Sequence, residues 1–174
     1  MCEHRRVKVI ILDVGSGCNP VGDINCDLFT GYTPHYGRPV EKTEYFIKCD
    51  AQYLPFRDDT FSIVHSSHLL EHTHNPYAVL LEMKRVSKKY VYARLPNTNY
   101  HVSQRPEHIY GWDHITLKNL LLQFFPEVSV YCSPRPFIHG RILDRLWLVQ
   151  QVLNVVFRRL LRHELIAICK MGSS

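Results

Sequence analysis

The chain has 174 residues, 45% of them apolar and 21% charged, which is enough length for a sizeable core and too much apolar content for disorder. Its net charge of +5 is only mildly basic and reads as a solvated surface rather than a nucleic-acid stripe. Met1 to Arg6 is polar and basic, and the apolar run after it is too short to export or span a membrane, so a single cytoplasmic domain over 1–174 is expected. Six scattered cysteines without a CxxC pair predict reduced thiols that behave as small hydrophobes.

Val7 to Val14 predicts a buried parallel strand, because a strand covered on both faces is a continuous apolar run. It opens into Gly15-Ser16-Gly17, where two glycines let the backbone approach a ligand closely. Asp23 to Leu28 predicts a second strand. Thr30 to Lys42, broken by Gly31, Pro34, Gly37 and Pro39, predicts a loop. Tyr45 to Cys49 predicts a third strand, ending at Asp50, and Thr60 to Ser66 a fourth. His68 to Arg85 predicts a helix, broken or offset at Asn75-Pro76. Lys89 to Leu95 predicts a fifth strand, followed by a polar and aromatic loop over Tyr100 to Gly111. Thr116 to Phe124 predicts a helix with Thr116 as its cap. Val128 to Cys132 and Glu164 to Cys169 predict the last strands, with a long apolar and basic helix over about 140–162 between them. Strands alternating with helices imply an α/β fold with a doubly wound, mostly parallel seven-stranded sheet.

In such a sheet ligands sit beyond the carboxyl ends of the strands. Asp13, Asp27 and Asp50 fall at the ends of the first three strands, in order. A carboxylate after the second strand can accept both hydroxyls of a ribose, and one after the third can accept from an exocyclic adenine amine.

With these residues the chain resembles the class I S-adenosylmethionine-dependent methyltransferases, closest to the small-molecule, type 11-like group. The resemblance rests on Asp13-Val14-Gly15-Ser16-Gly17, Asp27-Leu28, Asp50-Ala51-Gln52-Tyr53-Leu54-Pro55-Phe56 and Ser66-Ser67-His68-Leu69-Leu70-Glu71-His72, in order and sensibly spaced. It implies a Rossmann-like fold and S-adenosylmethionine as cofactor. It also implies a cofactor set of Asp13, Gly15, Ser16, Gly17, Asp27, Leu28, Asp50, Ala51 and Ser66, with the glycine loop against the methionine part, Asp27 on ribose and Asp50-Ala51 on adenine. An NAD-binding Rossmann domain would want a third glycine where Pro20 stands.

One departure is plain. About ten residues separate Gly17 from Asp27, too few for a crossover helix. The expected result is a first helix reduced to a turn and one sheet face short of cover. The helix over 140–162, with Arg141, Arg145, Arg158, Arg159 and Arg162 near its ends, is expected to fold over that face, build a homodimer there, or make peripheral contact with an anionic membrane.

The end of the fourth strand reads His65-Ser66-Ser67-His68, not the Asn/Asp-Pro-Pro-aromatic pattern of amine-methylating relatives. That leaves oxygen, carbon or sulfur acceptors. His68, His101 and Tyr110 are expected to border the acceptor, and His108 is the candidate catalytic base, because imidazole titrates near neutrality. His68 and His72 could begin a metal site, but no third ligand is evident in the sequence and no metal is expected. The expected function is methyl transfer to a small-molecule, glycan or lipid-linked acceptor. The alternatives are a non-catalytic, cofactor-binding scaffold subunit that needs a partner, and an RNA or protein methyltransferase.

Overall fold

The computed structural model describes residues 9–33, 37–98, 107–133 and 164–172. Nine strands and two α-helices lie among them: β1 Ile11–Val14, β2 Ile24–Asp27, β3 Tyr32–Thr33, β4 Arg38–Pro39, β5 Phe46–Lys48, β6 Phe61–Ser67, α1 Pro76–Val86, β7 Ser87–Pro96, α2 His114–Leu121, β8 Glu127–Ser133 and β9 Glu164–Lys170. Seven strands form one sheet in the order β5-β2-β1-β6-β7-β9-β8. The first four pairings are parallel, and β9 runs antiparallel to both β7 and β8. The expected mostly parallel, seven-stranded sheet is present, with both described α-helices on one face. The strand order reverses at β1, which is where such sheets open a ligand crevice.

The two faces of the sheet differ. Leu12, Val64, Val91, Cys169 and Val128 are register partners in one row, and Val14, Ser66, Ala93, Ala167 and Val130 form the next. These rows join the α1 residues Val79, Leu80, Met83 and Val86 and the α2 residues Leu117, Leu120 and Leu121 in a single buried cluster. The opposite face carries Asp13, His65, Tyr92 and Ile168 in one row. On that face Tyr90, Ile168 and Tyr131 remain 40%, 38% and 55% exposed. The face predicted to be short of cover is therefore the open one among the described residues. The helix expected over 140–162, like Val7 and Lys8 of the first predicted strand, lies outside them.

The link from β1 to β2 contains turns and no helix, as its length requires. Side chains hold it instead. Asp13 accepts from the Val21 N–H at 3.0 Å, and Asp23 accepts from the Ile11 N–H at 2.9 Å. Asn25 exchanges bonds with both backbone groups of Gly22 and donates to Thr43 Oγ1 at 3.0 Å.

Three local expectations are corrected. Thr30 to Lys42 is not wholly loop, since β3 and β4 pair as a short antiparallel hairpin across its glycines. The helix predicted from His68 starts only at Pro76, with Asn75 accepting from the Ala78 N–H as its cap; a 3-10 turn at Leu70–His72 precedes it. His68 has φ +53, outside helical space, so proline at the first helical position marks the true start. Finally, α2 begins at His114 rather than Thr116. Asp113 is its cap, accepting from the Ile115 and Thr116 N–H groups at 2.9 and 2.8 Å, and Thr116 is the reciprocal third residue of a capping box. Asp113→Ala is expected to cost about 1 kcal/mol, read as a fall in thermal midpoint of about 2–4 °C in a scan.

Arg85 ties the turn before β6 to α1. It holds Glu82 with two bonds of 2.7 and 2.8 Å and Asp58 at 2.7 Å, and it donates to the backbone carbonyls of Phe56 and Leu54. Glu82 in turn accepts from the Leu54 N–H at 2.7 Å. The Arg85 hydrogen bonds hold the Glu82 carboxyl below the usual carboxylate range. Arg85→Ala would strand two backbone carbonyls and two carboxylates that face one cation. A loss of about 1–3 kcal/mol in urea unfolding is expected, and a change below about 0.5 kcal/mol would show that solvent replaces the clamp.

Candidate active site

The carboxyl ends of β1, β2, β5 and β6 surround a cavity of about 290 Å³ whose lining includes Gly15, Asp27, Leu28, Asp50, Ala51 and His68. It lies near the lower end of the size range of small-molecule sites.

The glycine turn is built on β2. The Gly15 and Ser16 N–H groups both donate to the Cys26 carbonyl, at 2.9 and 3.1 Å. Gly15 has φ +70, so the backbone conformation calls for glycine here, and a Cβ would also force Leu69 Cδ1, 2.9 Å from it, to shift. The Ser16 hydroxyl is buried and has no partner among the described residues.

Asp27 is 3% exposed. Its Oδ2 accepts from the Gly17 N–H and its Oδ1 from the Phe29 N–H, both at 2.9 Å. One side chain thus fixes the glycine turn and the end of β2 together. Asp50 accepts from the Gln52 N–H at 2.9 Å, which folds Ala51 and Gln52 back over the cavity.

Several expected site residues sit elsewhere. Asp13 is 2% exposed and does not line the cavity; its carboxylate receives the Val21 N–H and a 2.7 Å bond from His65 Nδ1. It serves the helix-less link. Ser16, Gly17 and Ser66 are not among the residues lining the cavity, and Ser66 is 1% exposed on the covered face. Of the residues expected around the acceptor, His68 lines the cavity and His101 lies outside the described residues. The loop after β7 reaches the site through its later part. The Ile109 and Tyr110 N–H groups donate to the Glu71 carbonyl at 2.8 and 3.3 Å, and the Tyr110 hydroxyl donates to the His74 carbonyl at 3.2 Å. His108 packs edge-on against His72, with ring centroids 4.8 Å apart.

Two groups escaped the sequence reading. The first is a charged network under His68. Its Nδ1 lies 3.2 Å from Glu71 Oε1 and its Nε2 3.4 Å from Glu164 Oε1, while Arg94 holds Glu164 Oε2 through both Nε and Nη2. Burial works to lower the His68 pKa, but the bonds to Glu164 and Glu71 outweigh it and raise it from 6.5 to about 9. His68 is therefore an imidazolium at neutral pH and cannot take a proton there. Glu164 starts the last strand, 96 residues after His68 in sequence, so no local pattern exposes the pairing. The second group is the thiol pair Cys26 and Cys49 in the cavity wall. Hydrogen bonding to Cys49, and then burial, push the Cys26 thiol up and keep it protonated.

Residues 26–93 match the family described as a methyltransferase domain; the glycine turn lies just ahead of the matched stretch. No match was found among curated proteins. Among solved structures, the chain is similar to a Thermotoga maritima protein described as an S-adenosylmethionine-dependent methyltransferase, possible histamine N-methyltransferase. The TM-score is 0.64 at 12% identity, over 95% of this chain and 83% of that one. It is similar to the putative methyltransferase solved with the Trm112 activator from Haloferax volcanii, with TM-score 0.62, 16% identity and coverage of 94% and 82%. It is also similar to the plantazolicin methyltransferase solved with S-adenosylhomocysteine, with TM-score 0.59, 16% identity and coverage of 95% and 77%. At these identities the structures speak for the fold. The domain match over residues 26–93 and the shared fold both support a class I S-adenosylmethionine-dependent methyltransferase, for which S-adenosylmethionine is the cofactor.

The residues present fit that cofactor. The Gly15 turn and the two carboxylates Asp27 and Asp50 line one cavity, and that is what a nucleoside with a charged amino-acid tail requires.

Proposed function

We propose that the chain transfers a methyl group from S-adenosylmethionine to an oxygen of a small-molecule, glycan or lipid-linked acceptor. When bound, the cofactor supplies a methyl group activated on a positively charged sulfonium. Asp27 takes the ribose, Asp50 and Ala51 border the adenine, and the Gly15 turn leaves room for the methionine part. The observation that carries the reading is the cavity, whose lining includes Gly15, Asp27, Asp50 and Ala51 together with the histidines His68, His72 and His74. These histidines are polar and hydrogen-bonding, which suits an oxygen-bearing acceptor. The Asn/Asp-Pro-Pro-aromatic element suited to planar amines is missing from the end of β6. In this reading His68 acts as a cationic donor rather than a base, and Tyr110 and His108, which contact the lining residues His74 and His72, border the acceptor.

Titration calorimetry with S-adenosylmethionine and S-adenosylhomocysteine tests the first half of this reading. Micromolar binding of both is expected, followed by methyl transfer in a screen weighted to hydroxyl and carboxylate acceptors. Binding without turnover on any oxygen acceptor, but with turnover on amines, would reverse the acceptor assignment.

A second reading, an assembly that completes the site, is favoured by one observation. Phe29, Tyr45 and Tyr53 lie 45%, 61% and 78% exposed around the β2–β5 edge of the sheet, near the cavity. The Haloferax relative was solved with an activator protein. Light scattering that gives a dimer, or cofactor affinity that rises with protein concentration, would support assembly; a monomer with full affinity would remove it. No helix among the described residues is long and apolar enough to cross a membrane.

A further inference from the structure

We propose that Glu71, His72 and His108 bind a divalent metal ion of the zinc class at the rim of the cavity. Glu71 and His72 come from the 3-10 turn after β6, and His108 is brought to them by the loop after β7. One donor atom from each residue lies within 4.8 Å of the others. Tetrahedral zinc with nitrogen and oxygen ligands needs donors roughly 3.4 Å apart, so the set has to tighten by no more than about 1.4 Å from its limit of 4.8 Å.

Two independent features point to a ligand rather than a chance cluster. The first is Glu71 itself. Its side chain is fully buried, Oε1 receives His68 Nδ1, and Oε2 has no hydrogen-bond partner among the described residues. A buried carboxylate oxygen left bare is costly, and a cation is what satisfies it. The second is the tautomer of His72. Its Nδ1 lies 3.2 Å from the Glu107 carbonyl oxygen, which can only accept, so Nδ1 carries the proton. Nε2 is then the lone-pair nitrogen. An imidazole whose Nδ1 N–H is fixed on a carbonyl is held in the tautomer that metal-binding histidines use. His68 plays the matching part for Glu71, donating to the oxygen the metal does not use.

Two imidazoles and one carboxylate leave a coordination position open. Because His72 lines the cavity, that position opens toward the acceptor side, where it takes a water or an acceptor oxygen. The metal goes beyond the methyl-transfer reading and does not depend on it.

Equilibrium dialysis of chelator-stripped protein against zinc chloride, with metal content measured by mass spectrometry, tests the site. One zinc per chain is expected, with affinity reduced at least about 100-fold in both His108→Ala and Glu71→Gln. His108 is a loop residue, so its variant should keep its circular dichroism; Glu71→Gln provides a second, isosteric removal. Cobalt substitution gives the second readout. Visible bands of a four- or five-coordinate nitrogen and oxygen site, unchanged in Cys49→Ser, support the assignment. Equal zinc binding by wild type and His108→Ala, or a thiolate charge-transfer band that vanishes in Cys49→Ser, would overturn it.

Discussion

Asp27→Ala is expected to weaken S-adenosylmethionine binding by roughly 100-fold or more, about 3 kcal/mol, in calorimetry on folded protein. Two losses combine. In the proposed site the carboxylate accepts the ribose hydroxyls, and hydrogen bonds to an ionised acceptor carry about 1.5–3 kcal/mol each. The same carboxylate receives the Gly17 and Phe29 N–H groups, so its removal strands two donors and loosens the glycine turn. Asp27→Asn separates the two effects. The amide keeps one oxygen to accept but places two donors where acceptors are needed, so the fold should survive better than affinity. Gly15→Val is the companion test. It asks a β-branched residue to hold φ +70 and drives its Cβ into Leu69, so affinity should fall although no polar contact is removed. Unchanged affinity in Asp27→Ala would take the ribose away from β2 and leave that residue a purely architectural role.

The sheet was legible in the sequence because it rests on short-range signals. Apolar runs ending in Gly15, Asp27, Asp50 and Pro96 mark strands whose ends fall close to where the structure puts them. The missing first helix was legible by counting residues from Gly17 to Asp27. The boundaries that failed are those where a side chain overrides propensity. Asp113 captures the start of α2 ahead of Thr116, and the φ +53 of His68 stops a helical pattern from beginning there. At the site, the glycine turn and the acids at β2 and β5 were readable, since each is local to one strand end. Asp13 matched the same pattern yet serves the shortened link, because a chain that loses a helix must hold the turn by other means. Glu164, Arg94 and His108 reach the site from strands and loops distant in sequence. Only the β7–β9 pairing, which sets Arg94 opposite Ile166 and Pro96 opposite Glu164, and the docking of Ile109 on Glu71 bring them in.

Glu164→Gln is expected to cost about 2–3 kcal/mol in urea unfolding near pH 6, more than any surface charge change. Glu164 is 3% exposed and is the shared anion of two cations, Arg94 and His68. Removing one partner of a buried pair leaves the others facing low dielectric, which costs about 3–5 kcal/mol when burial is complete. Here the Arg94 and His68 side chains keep 34% and 38% exposure, and water recovers part of that. Burial works to raise the Glu164 carboxyl, but His68 and Arg94 outweigh it and hold it below the usual range, so its contribution is lost in acid. His68 has the opposite sign. With its folded pKa raised to about 9 from 6.5, its contribution is full below about pH 6.5 and is lost as pH rises through about 9. With chelator present, wild-type stability should therefore decline between those values. That decline should shrink in Glu164→Gln, where the His68 ring proton resonances would titrate at lower pH. Ring resonances that titrate near 9 in both proteins would assign the shift to Glu71 alone. Because His68 forms part of the cavity wall, the same substitution should change acceptor turnover more than cofactor affinity, turning a stabilising ion network into a measurable control on the charge at the reaction site.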